Sequence, residues 1–279
     1  MFGRQDVIEY KTTEQFVKMR RAGLVVAAVH EAMREAVRPG VNTKELDEIA
    51  EDVIRSRGGV PSFLGYDIGM GPYPASICTS VNAQVVHAIP SKRQSLAKGD
   101  LISIDVGAIV DGWHGDAAIT LPVGEVSAEL QTLTSVCEDA MWAGIAAAGT
   151  GKRLGDVSNA IQRCVENAPR EYGIVTGFGG HGIGTQMHQD PHILNYGRAG
   201  KGVKLKRGMA LAIEPMITLG SDDTVEESDG WTVVTDDGSI AAHVEHSIAL
   251  CGDGLWVLTA PDGGVGRLGE AAISQLALE

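Results

Sequence analysis

The chain has 279 residues, 44% of them hydrophobic, and a net charge of −13. That charge excludes the basic stripe of a nucleic-acid surface and disfavours an anionic membrane surface. The longest apolar runs fall far below the roughly 18 residues of a transmembrane helix, and the segment from Met1 to Phe16 lacks the apolar core of a signal peptide.

The first expected helix runs from about Thr13 to Ala36. Thr12 and Gln15 make a capping box, and Pro39-Gly40 marks the stop. Asn42 with Glu45 caps a second helix to about Arg57, closed by Gly58-Gly59. A loop rich in Gly, Pro and Tyr fills residues 60–76. Strand-like runs follow at Ser76–Val81, Leu101–Val110 and Ala117–Leu121. The second half repeats this order. Helices are expected over about Ala128–Ala147, broken by Gly149-Thr150-Gly151, and over Leu154–Glu166. Strands are expected near Ala210–Leu219, Gly230–Thr235, Ser239–Leu250 and Leu255–Thr259. No long linker divides the chain, so one domain over 1–279 is expected. Its pseudo-halves are about 12–123 and 124–260, and 261–279 reads as a surface tail.

Acidic residues interrupt the apolar runs. Asp105 lies in LISIDVGAIV, Glu214 in MALAIEPMI, and Glu245 ends AAHVE. Buried carboxylates need a partner or a metal. Asp116 stands eleven residues after Asp105, with Asp111-Gly112 between them, so a hairpin faces both carboxylates into one pocket. An internal repeat at about 108 residues relates the halves: Lys98-Gly99-Asp100-Leu101-Ile102-Ser103-Ile104-Asp105 returns as Arg207-Gly208-Met209-Ala210-Leu211-Ala212-Ile213-Glu214. His181 sits among Gly179, Gly180, Gly182 and Gly184, where a backbone can approach a bound group closely. Asp105, Asp116, His181, Glu214 and Glu245 form an oxygen-rich set suited to Mn, Fe, Co or Zn. Four carboxylates are balanced by two divalent ions, whereas one ion leaves excess negative charge in a dry pocket.

Gly177, Gly179 and Gly182 fit G-x-G-x-x-G, but Thr185–Pro191 breaks any helix that a dinucleotide site requires. Gly144–Lys152 fails as a P-loop because Arg153 replaces the Ser or Thr. His87 and His188 are candidate donors to a substrate carbonyl or oxyanion. His30, His114, His192, His243 and His246 read as structural or solvated. Cys78, Cys137, Cys164 and Cys251 are widely spaced without a C-x-x-C pair, as expected of mostly buried, reduced thiols in a cytosolic protein.

The strings VNAQVVHAIP, GDLISIDVGAIVDGWHGDAAIT, GFGGHGIGTQMHQDP, IEPMI and DGWTVVTDDGSIAAHVEHSI resemble those of type I methionine aminopeptidases over about residues 8–259. The resemblance implies an α+β pita-bread fold, with two pseudo-symmetric halves around a central antiparallel sheet. It implies Asp105, Asp116, His181, Glu214 and Glu245 as metal ligands, His87 and His188 as substrate-facing histidines, and Tyr73, Cys78 and Trp231 as walls of the methionine pocket. The expected activity is removal of the initiator methionine from nascent polypeptides when the second residue is small. Glu214 is the expected proton shuttle, His188 the oxyanion donor and His87 the contact to the amide nitrogen. The expected setting is a cytoplasmic monomer of the short bacterial form, with room for a transient ribosome contact. Three departures concern the pocket: a loop between Tyr66 and Tyr73 about four residues longer than expected, Met187 where an aromatic residue is frequent, and Val86-His87-Ala88 where Cys-His-Gly is common. An X-Pro peptidase and a non-catalytic binding protein on the same fold are the alternatives. Phe2 is too bulky for the small-residue rule, so retention of Met1 is expected.

Overall fold

The structure is a computed structural model that describes residues 7–67, 69, 71–252 and 254–273. Phe2 and the end of the chain after Ile273 lie outside these residues. No helix among them is long and apolar enough to cross a membrane.

Four long helices form where caps and apolar spacing coincide. Helix α1 (Thr13–Ala36) starts at the Thr12–Gln15 capping box, and α2 (Thr43–Ser56) at Asn42, whose side chain accepts from the Glu45 N–H. Helix α3 spans Ala128–Thr150 and α4 spans Leu154–Glu166. Helix α3 runs three residues past its expected end, because one glycine costs a helix only about 1 kcal/mol and the Gly151 N–H still reaches the Ala147 carbonyl.

Leu101–Val110 and Trp113–Pro122 form one long antiparallel hairpin, here called the aspartate hairpin. Its two-residue turn has φ of 51° at Asp111 and 78° at Gly112, the left-handed pair that tight hairpins need. Ile77–Val81 and Val60–Pro61 pair along the free edge of its first strand. Helices α1 and α2 cover it, burying Val26, Val29, Met33, Leu46 and Ile54 against Ile102, Ile104 and Val106. Each such side chain contributes about 1.5–3 kcal/mol on full burial.

The second half carries a five-stranded antiparallel sheet. Its order is Gly254–Val257, His246–Cys251, Ala210–Ile213, Gly180–Gly182 and Gln189–Ile193. Helices α3 and α4 cover it through Leu133, Ile145 and Ile161 against Leu211, Ile213 and Ile248.

Two expected long strands are each broken in two. The run 210–219 divides into Ala210–Ile213 and Met216–Thr218, and the run 239–250 into Ala241–His243 and His246–Cys251. Pro215 has no N–H to continue a ladder. At the second break, the Glu245 N–H and carbonyl exchange hydrogen bonds with Ala118 of the aspartate hairpin (2.9 and 3.3 Å). The strand expected from Gly230 starts only at Val233, because the Asp229 carboxylate captures the Trp231 and Thr232 N–H groups in a turn. Beyond Pro261 the chain folds back: Arg20 donates to the Val257, Leu258, Ala260 and Pro261 carbonyls, and the Ile273 N–H donates to the Leu255 carbonyl.

Candidate metal centre and substrate pocket

Register decides which side chains converge. Asp105 lies opposite Ala118 and Gly107 opposite Asp116. Alternation along the strand then puts Asp105 and Asp116 on one face, close enough for each carboxyl to influence the other's titration. In the second half, His181 lies opposite Ala212, two residues before Glu214. Ile213 lies opposite His246, so one further step brings Glu214 to Glu245.

The halves meet at this face. Donor atoms of Asp116, His181 and Glu245 all lie within 4.8 Å of one another, and so do those of Glu214, His243 and Glu245. The Nε2 atoms of His181 and His243 are each 3.4 Å from an oxygen of Glu214. The His181 Nδ1–H donates to the Gly182 carbonyl at 3.0 Å, which fixes the tautomer and leaves the Nε2 lone pair for the site. All five sequence-derived acidic and imidazole residues are thus gathered. Asp105 stands beside Asp116 rather than within either group of three.

His243, which the sequence reads as structural or solvated, joins them. It is 2% exposed and its Nε2 points into the cluster without a hydrogen-bond partner. A usable signal existed: His243 precedes Glu245 by two residues, and strand alternation places both on one face.

Burial dominates the electrostatics. It pushes Asp105 up to about 7, with the nearby Glu214 raising it further and His243 opposing. Asp116, Glu214 and Glu245 are raised well above their ordinary values, again first by burial. Burial lowers His181 to about 3 and His87 to about 4, and it lowers His188 as well. Every group is held towards its neutral form, as a dry site does when no counter-charge is supplied. Asp105 Oδ1, Asp116 Oδ1, Glu245 Oε1 and His243 Nε2 are buried without partners. Orphaned atoms of this kind are what a cation-binding site leaves when only protein atoms are counted.

Beside the cluster lies a narrow apolar cavity of about 100 Å³. Tyr73, Cys78 and Trp231 line it, together with Phe63, Tyr66, Met187, Asp105, His87 and His188. Tyr73 is fixed by hydrogen bonds to the Ile77 and Ala88 carbonyls (3.2 and 3.0 Å) and by an edge contact with Trp231 at 5.1 Å. Phe63 and Tyr66 come from the Gly-rich loop, which offers no periodic signal. The loop between Tyr66 and Tyr73 is closed at its base, where the Tyr73 N–H donates to the Tyr66 carbonyl and the Gly65 N–H to the Tyr73 carbonyl. The Tyr66 hydroxyl lies 2.7 Å from His188 Nδ1, and the His188 ring stacks edge-on against His181 at 4.4 Å. His87 has φ of 60°, a left-handed backbone that costs a bulky residue about 1–3 kcal/mol and clusters at functional sites. Its ring borders both the cavity and a wider cleft of about 870 Å³ whose floor includes His181, His188 and Glu214.

The glycines around His181 serve packing. A Cβ on Gly180 would meet the Ala212 carbonyl oxygen at 2.2 Å, and one on Gly182 the Asp190 carbonyl oxygen at 2.2 Å. A strand follows instead of the helix that a dinucleotide needs.

Residues 17–250 match the pattern of metallopeptidase family M24. The chain is 51% identical over 257 residues to methionine aminopeptidase 1 of Mycobacterium tuberculosis, covering 91% of this chain and 95% of that protein. The crystal structure of methionine aminopeptidase from Thermotoga maritima superposes with a TM-score of 0.86 at 39% identity, covering 91% of this chain and 99% of that one. Prolidase from Pyrococcus furiosus shares the fold at a TM-score of 0.71 and 20% identity, and this chain spans 65% of its length. The fold is therefore the α+β pita-bread fold. The chain belongs to metallopeptidase family M24, with methionine aminopeptidases as its near relatives.

Proposed function

We propose that this chain removes N-terminal methionine from nascent polypeptides, with Asp105, Asp116, His181, Glu214 and Glu245 holding two divalent ions (Mn, Fe, Co or Zn) between pseudo-symmetric halves. The observation that carries this reading is the convergence of carboxylate and imidazole atoms into two groups that share Glu245, with Asp116, Glu245 and His243 each contributing a buried, partnerless atom. Relatives named as methionine aminopeptidases support the substrate. Bound ions of this class lower the pKa of water towards about 7 and polarise a carbonyl.

The chain's own residues supply the rest. The methionine side chain enters the cavity between Tyr73, Cys78 and Trp231, where sulfur–aromatic contact adds about 0.3–1.5 kcal/mol. Glu214 takes a proton from the attacking water and passes it to the leaving amine. The Tyr66 hydroxyl donates to His188 Nδ1, so Nε2 carries the proton and donates to the oxyanion as it develops. His87 contacts the nitrogen of the scissile amide. The second residue sits against the wall of the metal site. A small second residue is therefore accepted and a bulky one rejected, since overpacking costs about 1–3 kcal/mol or more. The proposed setting is the cytoplasm, as a monomer with transient ribosome contact; the buried free thiols of Cys78 and Cys137 fit a reducing compartment.

The test is a peptide assay on protein stripped with EDTA and then reloaded with Mn²⁺ or Co²⁺. Cleavage of Met-Ala-Ser is expected only after reloading, with Ala-Pro, Leu-Ala and Met-Phe-Ser left intact. Metal should also raise the melting temperature, because a ligand of the folded state stabilises it. Full turnover by the stripped protein in excess EDTA would overturn the reading.

A further inference from the structure

We propose that His243 is a metal ligand in its own right, giving the centre a second imidazole. The inference rests on the metal-centre reading above and adds a residue to it. The two groups of donor atoms have the same make-up. One is Asp116, His181 and Glu245; the other is Glu214, His243 and Glu245. Each offers two carboxylates and one imidazole, and Glu245 belongs to both.

The position of His243 is fixed by its backbone. Its N–H donates to Ser103 Oγ and Thr120 Oγ1 (3.2 and 3.1 Å), and its carbonyl accepts from Thr120 Oγ1 at 2.7 Å. Met216 is its strand partner. The ring has no comparable tie at Nε2, which is buried and unpartnered. An unsatisfied buried nitrogen is costly and needs a cause.

The simpler alternative is a hydrogen bond from Nε2 to Glu214. The separation of 3.4 Å exceeds the roughly 2.7–2.9 Å of a charge-assisted bond. It does match ligands that share an ion: two atoms about 2.1 Å from one centre at tetrahedral angles lie about 3.4 Å apart. His181 Nε2 stands at the same 3.4 Å from the other Glu214 oxygen. Glu214 therefore faces one imidazole with each oxygen.

The experiment is Mn²⁺ titration of the EDTA-stripped full chain by calorimetry, with pulsed EPR of the loaded protein. Wild type should bind two ions and show nitrogen couplings from two imidazoles. His243→Gln should lose one coupling and bind one ion at least tenfold more weakly, with its circular dichroism unchanged. His181→Ala keeps His243 and should retain the other coupling, which guards against a misfolded His243 variant. Unchanged couplings and affinities in His243→Gln, or loss of all nitrogen coupling in His181→Ala, would overturn the inference while leaving the metal centre standing. A wild-type chain that binds no Mn²⁺ would overturn both.

Discussion

The two halves deliver their carboxylates by different means. Asp105 and Asp116 stand inside an unbroken hairpin of two ten-residue strands, covered by α1 and α2. Glu214 and Glu245 stand in the gaps between short strands, where the ladder has stopped. The first pair is positioned by local register. The second is positioned by contacts that cross the chain: Glu245 by Ala118, and Glu214 by Asn195, whose side-chain amide donates to the Glu214 carbonyl at 3.0 Å. A rigid hairpin thus presents one wall of the site, and the opposite wall is completed only when the halves dock. The glutamate side has released its backbone from the sheet, and it is the side assigned proton transfer.

The largest expected effect follows from that division. Glu214→Gln should lower kcat by about 10²–10⁴, the range of general acid–base catalysis, with both metals retained. Steady-state kinetics on Met-Ala-Ser beside metal analysis checks it. Retention of more than about a tenth of wild-type kcat would move the shuttle elsewhere.

The next effect concerns pH. The carboxyls are raised by burial, Asp105 to about 7 from an ordinary 3.8 and the others well above their ordinary values. Below these values the metal-free site holds protons that an ion must displace. Metal affinity should therefore rise with pH, by up to tenfold per unit for each proton displaced, from about pH 5.5 to 7.5. His181, lowered to about 3, is neutral throughout and adds no slope. Asp105 contributes fully to the stability of the metal-free fold below about pH 3.8, and that contribution is lost as pH rises through about 7. Calorimetry in two buffers of unlike ionisation enthalpy should detect proton release. A pH-independent affinity would show that the carboxyls are already ionised.

The contrast also explains what the sequence made legible. The aspartate hairpin could be read because apolar alternation, Asp111-Gly112 and both carboxylates lie within 22 residues of chain, Leu101–Pro122. The helices could be read from Thr12, Asn42 and their partners three residues on. The glutamate side resisted because MALAIEPMI and SIAAHVEHSIAL look like continuous strands. The second break depends on Ala118, more than a hundred residues away from Glu245 in sequence, and only Pro215 marks the first. His243 becomes legible only through its strand parity with Glu245, not as a single histidine. Phe63 and Tyr66 lie in a loop whose course is set by the Tyr66–Tyr73 closure, not by any period.

A smaller effect tests docking itself. Ser247 Oγ donates to the Asp116 carbonyl at 2.7 Å and accepts from the Asp116 N–H at 3.2 Å, all buried. Ser247→Ala leaves both Asp116 groups unsatisfied, at about 1–3 kcal/mol. Thermal unfolding should show a drop of about 2–4 °C per kcal/mol in a chain of this size. Methionine binding should suffer less than kcat, because the pocket walls stand apart from this contact. An unchanged melting temperature would mean that Ala118 and Glu245 alone hold the seam.

The smallest effect belongs to Tyr66. Its hydroxyl lies 2.7 Å from His188 Nδ1, in reach to set the tautomer proposed above, while its ring lines the apolar cavity. Tyr66→Phe removes the first role and keeps the second. A single hydrogen bond is worth about 0.5–1.5 kcal/mol net, so kcat should fall about two- to tenfold with KM almost unchanged. The split matters more than the size. A rise in KM at constant kcat would mean that the hydroxyl shapes the cavity and leaves His188 to orient itself. If kcat falls but recovers at higher pH, the loss lies in protonation of His188 at Nδ1, and the tautomer assignment stands with its cause refined.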